Sequence, residues 1–426
     1  MNVPNMRYMR DKVEQQFKPM LQLLQADLLP NGRLLAGALD LVIAHYEETF
    51  RVMDEGNRKL CWYEFCLTPE IFRAMDIHPF LGEVHPAVMT FGTPDVCWQY
   101  VDVAEEHGTP PELCVLDKFL LGALLEKQMP SADFIVTASA PCDSSRIGYQ
   151  MFEQLSGCPV YRLDAPADDS PEAHAYYAGE IRKLIGFLEG QTGKRLDPDR
   201  LREVCEESNR ATAALLELFE LKRARPCPHP GTVTFTSYMA HLNSLGTPNL
   251  TRYVEFLRDD AIDAVRNGRG AVADEQHRVL WYYVPVVFDF EMNDWVEQTF
   301  NAAVIVDMLS SFLREDPIDT KNVDTMLLGL ARRGLEVTMG RLRVSAAKLT
   351  ERFLRDYADF GADCVVVPAP VGCKHVWGWL SLLREVCRER RIPLCAFDLD
   401  WMDSRVRPVE SIRGRIADFF ETVATG

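Results

Sequence analysis

The sequence lacks any long uninterrupted apolar run. None of its 426 residues lies in a stretch that reaches the roughly 18 consecutive apolar residues needed to span a membrane. The segment 1–18 is polar and charged and contains no apolar signal core. We therefore expect a cytoplasmic protein that makes no use of a membrane.

Positive charge is also scarce, with 46 lysine and arginine residues against 63 aspartate and glutamate residues. The formal net charge of −17 argues against nucleic acid as a partner, because phosphate binding needs basic patches and none stands out. An acidic surface can still accept a basic protein partner.

Common nucleotide and hydrolase motifs are missing as well. A phosphate-binding loop of the form Gly-x-x-x-x-Gly-Lys-Ser/Thr is absent, since Gly190-Gln-Thr-Gly193-Lys194 has the wrong spacing. Neither a Gly-x-Gly-x-x-Gly fingerprint after a predicted strand nor a Gly-x-Ser-x-Gly turn occurs. We expect any ATP or electron input to come from another protein.

The remaining composition is that of an ordinary globular protein, with 47% apolar and 26% charged residues. In a reducing compartment its twelve cysteines indicate buried small side chains and possible metal ligands rather than disulfides. Cys205, Cys387 and Cys395 lie in amphipathic or strand-like patterns, so we expect them to pack in the core.

The apolar periodicity predicts four segments in an α/β fold. These are an N-terminal helical segment (1–55), a first α/β domain (56–165), a helical domain (166–275) and a second α/β domain (276–426). Strands that alternate with helices favour parallel sheets with helices on both faces. We therefore expect two doubly wound parallel-sheet domains and one helical domain.

Three cysteines, Cys114, Cys142 and Cys373, stand out by their position. Cys142 and Cys373 each follow a short apolar run, at 134–138 and 364–367, and each precedes a predicted helix start. Open α/β sheets bind ligands at the carboxyl ends of their strands. A helix N-terminus also lowers the pKa of a thiol, so we expect thiolates at these two turns.

Thiolates from segments far apart in sequence suit a soft metal centre, and an iron–sulfur cluster in particular. The 28 residues from Cys114 to Cys142 allow a helix, a loop and a strand that return the chain to the same sheet edge. Three thiolates would leave the fourth iron of a cubane open to substrate. Any one of these cysteines, taken alone, is more typical of a packed core thiol.

Several polar side chains accompany these cysteines. Ser144, Ser145 and Arg146 follow Cys142, and His375 follows Cys373, so we expect Ser145 and His375 to act as catalytic residues in the pocket. The alternative for the serines is a helix N-cap, and for His375 a structural role. His78, His85 and His107 are more distant candidates, and the carboxylates Asp398, Asp400 and Asp403 are expected to cap a turn rather than bind a cation.

The chain resembles the iron–sulfur subunits of 2-hydroxyacyl-CoA dehydratases and ATP-dependent benzoyl-CoA reductases, because its three cysteines fall at the positions of the cysteine ligands of that family. Cys114 falls where this family has its first ligand, Cys142 matches the cysteine that ends the next strand, and Cys373 matches the cysteine of the C-terminal α/β region. The resemblance implies a [4Fe-4S] cluster bound by Cys114, Cys142 and Cys373 at the interface of the two α/β domains.

The segment from Cys373 to Glu421 looks like the larger cluster-bearing subunit of benzoyl-CoA reductase, with Asp403-Ser404-Arg405 in family order. The dehydratase pattern of Val-Pro-Glu-Glu followed by Ala-Ala-Gly appears here only as Leu67-Thr68-Pro69-Glu70 and Ala74-Met75-Asp76. The resemblance therefore favours reduction of an aryl-CoA through one-electron, ketyl radical chemistry.

The same resemblance implies four partners. They are a homologous cluster-bearing subunit, an ATP-hydrolysing activator protein, a ferredoxin or flavodoxin upstream of it, and an acyl-CoA substrate. Two alternatives stay open. One is a subunit of an (R)-2-hydroxyacyl-CoA dehydratase, and the other is a homodimeric iron–sulfur reductase that acts on a small molecule rather than on a CoA ester.

Overall fold

The computed structural model describes residues 6–65, 67–307, 316–336 and 340–425. Its first parallel sheet has four strands: β1 (Lys59–Tyr63), β2 (Ile77–Leu81), β3 (Phe134–Ala138) and β4 (Val160–Leu163). The helices before and between these strands are α1 (Arg7–Lys12), α2 (Lys18–Gln25), α3 (Gly32–Glu55), α4 (Glu70–Ala74), α5 (His85–Thr90), α6 (Val96–Glu106), α7 (Val115–Leu125) and α8 (Asp143–Ser156).

Four long helices then separate this sheet from the second one. They are α9 (Pro171–Thr192), α10 (Pro198–Leu221), α11 (Gly231–Ser244) and α12 (Pro248–Arg266). Three of these helices have N-cap side chains that accept a backbone N–H bond, and the cap residues are Ser170, Asp197 and Thr247. Each cap residue precedes a proline in the first turn, which is a recognisable sequence signal for a helix start. Parts of α3, α10, α11 and α12 enclose a small apolar core of their own.

The second sheet contains β5 (His277–Trp281), β6 (Ala302–Asp307), β7 (Cys364–Pro370) and β8 (Leu394–Leu399). Its helices are α13 (Met292–Phe300), α14 (Val323–Glu336), α15 (Ala346–Asp359), α16 (Lys374–Arg390) and α17 (Val409–Thr425). One continuous apolar core includes strands from both sheets.

The two sheets have the same strand order, β2-β1-β3-β4 and β6-β5-β7-β8, and every pairing is parallel. All residues of β2, β3, β6 and β7 are buried, as expected for parallel strands covered by helices on both faces. The predicted α/β class with two parallel sheets is confirmed. The strand order reverses between β1 and β3 and between β5 and β7, and such switch points are where doubly wound sheets bind ligands.

The structure differs from the sequence prediction in two strands. The apolar pattern of residues 277–287 predicts a single strand, but β5 ends at Trp281, because Tyr283 has φ 144° and Pro285 has no N–H to donate. Strand β2 was not predicted, since His78 and Pro79 interrupt its apolar run. Proline is tolerated there because β2 lies at the edge of its sheet.

The division into four domains stays a prediction, and residues 1–5 of its first segment lie outside the described residues. Within the described part of the chain, no helix is both long enough and apolar enough to cross a bilayer.

Candidate functional site

A cavity of about 90 Å³ lies between the carboxyl ends of the two sheets. Residues that follow β1 and β3 line it from one side, and residues that follow β5 and β7 line it from the other. Both switch points therefore open into one cavity. Cys114, Cys142 and Cys373 all line it, although they are separated by up to 259 positions in the sequence.

Cys142 is the N-cap residue of α8, four residues after the end of β3. Its Sγ accepts a hydrogen bond from the backbone N–H of Ser145 at 3.5 Å. The apolar strand thus delivers the sulfur to the cavity, and the helix supplies a donor to it.

Cys373 has the same position in the second sheet, because it is the N-cap residue of α16 and follows β7. Its backbone N–H bonds the carbonyl of Pro370 at 3.0 Å and closes a tight turn through Gly372. No backbone N–H of α16 bonds its sulfur, but the hydroxyl of Tyr283 lies 2.9 Å from Sγ.

Cys114 is the N-cap residue of α7 and comes from the connection between β2 and β3. Its backbone N–H donates to Oγ of Ser144 at 2.9 Å, which ties the start of α7 to the start of α8. Three helix N-termini therefore meet at the cavity, and their dipoles favour negative charge there.

The expectation of a lowered thiol pKa is wrong for Cys142. Burial raises the pKa of the Cys142 thiol, and the nearby Asp117 charge adds to this, despite the opposing bond from Ser145. Burial also raises the pKa of Cys114, with further contributions from Asp117, Cys142 and Cys373. The sulfurs are thus close enough to repel one another as thiolates, and a metal would have to displace their protons.

The donor set suits a cluster better than a single ion. Among the described residues, no three His, Cys, Asp or Glu side chains lie close enough together to ligate one metal ion. In an iron–sulfur cluster each thiolate binds a separate iron, so the sulfurs need not meet at one point. Three thiols at the N-termini of three helices, around one cavity, fit such a cluster.

The structure brings Ser145 and His375 to the same cavity. Ser145 is buried, and Nε2 of His375 lies at hydrogen-bond distance from the carbonyl oxygen of Pro141. Donation by Nε2–H would hold α16 against the turn before α8 and leave Nδ1 as the ring atom available for other contacts. Ser144 also lines the cavity, where its hydroxyl bonds Cys114 rather than a backbone N–H of α8.

The other candidates have structural roles. His78 bonds Thr49 and His85 bonds Tyr46 in the core of the first sheet region, and neither lines the cavity. His107 bonds the carbonyl of Val103 at the end of its own helix. The carboxylate of Asp400 accepts the N–H groups of Met402 and Asp403, so the turn-capping interpretation is confirmed for Asp400. Asp403 accepts the N–H of Arg405, whereas Asp398 pairs with the side chain of Arg407. The core positions expected for Cys205, Cys387 and Cys395 are also confirmed.

Three buried carboxyl groups, Glu64, Glu83 and Asp117, also line the cavity and are not among the predicted site residues. Burial raises the pKa of Glu64 to about 7 and that of Asp117 to about 7. Burial, followed by the charge of Glu64, raises the pKa of Glu83 well above its usual range. Glutamate within the apolar run after β1 is the signal that could have revealed Glu64, because a charged residue is rarely buried without a purpose.

The carboxyl of Glu83 is only half satisfied. Its Oε1 accepts a hydrogen bond from the hydroxyl of Tyr149 at 2.9 Å, whereas Oε2 is buried and has no hydrogen-bond partner among the described residues. Oδ1 of Asp117 is likewise buried and unpartnered. The raised pKa values of Glu83 and Asp117 favour the protonated form of both carboxyl groups, which can donate a proton into the cavity.

Much of the remaining cavity wall is formed by apolar or aromatic side chains. It comprises Phe65, Leu116, Tyr238, Met239, Val284, Leu342 and Trp401. Such walls exclude water, and they suit an apolar ligand group.

Comparisons with known proteins point to one family. The family described as 2-hydroxyglutaryl-CoA dehydratase, D-component, matches residues 65–423. One of the subunits of benzoyl-CoA reductase from Thauera aromatica is 21% identical over 349 residues, which cover 75% of this chain and 78% of that protein.

Two dehydratase subunits are also similar. The alpha subunit of (R)-phenyllactyl-CoA dehydratase from Clostridium sporogenes is 20% identical over 376 residues, which cover 82% of this chain and 86% of that protein. The alpha subunit of (R)-2-hydroxyglutaryl-CoA dehydratase from Acidaminococcus fermentans is 25% identical over 162 residues, covering 37% of this chain and only 34% of that relative.

Proposed function

Because the chain belongs to the family of 2-hydroxyglutaryl-CoA dehydratase D-components, we propose that it is the iron–sulfur subunit of an ATP-activated, low-potential acyl-CoA enzyme. Its relatives make it an enzyme subunit of the dehydratase and reductase kind. The observation that carries the proposal is the convergence of Cys114, Cys142 and Cys373 on one cavity between the two sheets.

In this proposal the three cysteines hold a [4Fe-4S] cluster. When bound, the cluster supplies single electrons at a very negative potential. The N-termini of α7, α8 and α16 stabilise the thiolates, and Ser144 fixes the backbone of Cys114. The buried thiols release their protons when the metal binds.

The favoured reaction is reduction of an aryl-CoA, of the benzoyl-CoA reductase type. The apolar and aromatic walls support this, because they can pack against an aromatic acyl group and keep water away from it. Glu83, held at Oε1 by Tyr149, would keep a proton near Oε2 for transfer to the reduced acyl group. Ser145 and His375 would orient the acyl carbonyl in the same cavity.

The alternative is a subunit of an (R)-2-hydroxyacyl-CoA dehydratase. The matching family and two of the similar proteins favour it, since they are named as dehydratase components. The relatives are named as subunits, which supports a homologous cluster-bearing partner. An ATP-hydrolysing activator reduced by ferredoxin or flavodoxin would deliver the electrons, because the sequence has no phosphate loop of its own.

Anaerobic turnover assays test this proposal. The chain is combined with its partner subunit, an activator protein, ATP and a low-potential donor, and is offered an aryl-CoA or a 2-hydroxyacyl-CoA. Reduction of the aryl-CoA supports the favoured reaction, and dehydration of the hydroxyacyl-CoA supports the alternative. A cluster-containing protein that acts on neither thioester would point to a small-molecule reductase, and ATP hydrolysis by the isolated chain would contradict the separate activator.

The roles of Ser145 and His375 are tested in the same assay. Ser145→Ala and His375→Ala should keep the iron content of the parent protein yet lower turnover, because both side chains line the cavity without being thiol ligands. Full turnover in both variants would show that Ser145 only caps a helix and that His375 only makes a structural contact.

A further inference from the structure

The hydroxyl of Tyr283 lies 2.9 Å from Sγ of Cys373. The side chain is buried, follows β5 at the switch point of the second sheet, and lines the cavity. Either atom can be the donor in this contact. A metal-bound thiolate has no proton, so only the phenol can then donate.

The two sheets supply donors to their equivalent cysteines in different ways. Cys142, after the third strand of the first sheet, accepts a backbone N–H from Ser145 in its own helix. Cys373, after the third strand of the second sheet, has no such bond from its helix. The hydroxyl of Tyr283 takes the place of that missing backbone donor.

The register of the strands shows that this hydroxyl is specific to the second sheet. The N–H of Glu64 bonds the carbonyl of Val136, and the N–H of Tyr282 bonds the carbonyl of Val366 in the same way. The next residue is therefore Phe65 in the first sheet and Tyr283 in the second. Phe65 lines the cavity too but carries no hydroxyl.

The backbone at Tyr283 is strained. Its φ of 144° lies in a region that residues other than glycine rarely adopt. Such outliers persist where the surrounding structure fixes them, often at functional sites. Here the conformation ends β5 and turns the phenol into the cavity.

We propose that Tyr283 is a positioning residue that donates a hydrogen bond to the metal-bound thiolate of Cys373 and so raises the reduction potential of the cluster. This rests on the proposed function, because it takes Cys373 as a cluster ligand. A donor to a ligating sulfur withdraws negative charge and stabilises the more negative, reduced state. In the second sheet the donor would thus be a side chain that follows a neighbouring strand, whereas Ser145, which bonds Cys142, belongs to the helix that Cys142 caps.

Tyr283→Phe removes the hydroxyl and keeps the ring. Tyr282→Phe is the matched control, because Tyr282 is an adjacent buried tyrosine that packs on Phe353 and Trp379 rather than lining the cavity. Both variants of the full chain are prepared anaerobically, analysed for iron and sulfide, and titrated with electron-resonance detection of the reduced cluster. We expect both variants to contain as much iron as the parent protein. In Tyr283→Phe only, the equilibrium constant for one-electron reduction of the cluster should fall tenfold, which shifts the reduction potential by about 59 mV in the negative direction.

An unchanged potential in a fully loaded Tyr283→Phe protein would overturn the inference. If Tyr283→Phe loses iron, a protein with fluorotyrosine at position 283 tests the inference instead. A more acidic phenol is a stronger hydrogen-bond donor, so it should shift the reduction potential of the cluster in the positive direction. No shift with fluorotyrosine would again contradict the role. Failure of the proposed function itself looks different, since the parent protein would then contain no cluster at all.

Discussion

A Cβ atom added at Gly372 would lie 2.9 Å from Cα of Cys114 and 3.0 Å from the carbonyl oxygen of Leu113. The turn that presents Cys373 is thus packed directly against the backbone that presents Cys114. Residues 114 and 372 belong to different sheet regions, so this close approach holds two of the three proposed ligands together across the interface.

Gly372→Ala should therefore deplete the cluster. The added methyl group meets backbone atoms, which cannot move aside as a side-chain end can, so it should push the two cysteine-bearing turns apart. We expect iron content per chain after anaerobic purification to fall by at least half. Gly378→Ala is the control, because an added Cβ in this α16 glycine meets nothing within 4 Å and alanine favours the helix. Equal iron content in both variants would contradict the packing argument.

Ser144→Ala tests the link between α7 and α8. It leaves the N–H of Cys114 without its acceptor, which should cost about 1–3 kcal/mol of unfolding free energy and loosen the first ligand. We expect faster loss of iron to a chelator. Ser170→Ala removes a comparable cap at the start of α9, away from the cavity, and should cost about 1 kcal/mol with no effect on iron. The link is refuted if both variants lose iron at the same rate.

The buried carboxyl of Glu297 should make the free energy of unfolding depend on pH, whether or not a cluster is bound. Burial raises its pKa to about 8, although its carboxylate accepts the N–H groups of Gly231 and Val304. Between the ordinary value near 4.5 and about 8, the unfolded chain loses this proton while the folded chain keeps it. The contribution of the Glu297 carboxyl to the free energy of unfolding is thus complete below about pH 4.5. It falls by about 1.4 kcal/mol per pH unit between about pH 4.5 and about pH 8.

Glu297→Gln should abolish that fall. Relative to the parent, the variant should gain unfolding free energy as pH rises from 5 to 7, measured by urea denaturation at each pH. Glu385→Gln, at an exposed position on α16, is the control and should follow the parent curve. Parallel curves for the Glu297 variant and the parent would show that burial does not hold this proton.

Much of the fold could be predicted because its signals are local. The run that forms β7 is apolar throughout, and the run that forms β3 is apolar apart from Thr137. Ser170 and Asp197 cap the helices that follow them. The three cysteines could be assigned to one site because parallel strands bring their carboxyl ends to one edge. Strand β2 could not be found, because its edge position tolerates the proline that obscures it.

The surroundings of the cysteines could not be predicted, because they depend on packing between distant segments. Tyr283 reaches Cys373 only through a positive φ, which no sequence pattern signals for a tyrosine. The pKa values of Glu83 and Asp117 are raised only because the fold buries both carboxyl groups. Burial also raises the pKa of Cys142 instead of lowering it as expected, since desolvation outweighs the effect of the helix N-terminus.

The most direct measurement is the iron and sulfide content of anaerobically purified single-cysteine variants. The parent should contain about four irons per chain, and Cys114→Ala, Cys142→Ala and Cys373→Ala should each lose most of them. Cys205→Ala is the control, because this fully buried cysteine lies outside the cavity and should lose only packing stability. Full iron occupancy in any of the three ligand variants would remove that residue from the site, and a parent protein without iron would contradict the account.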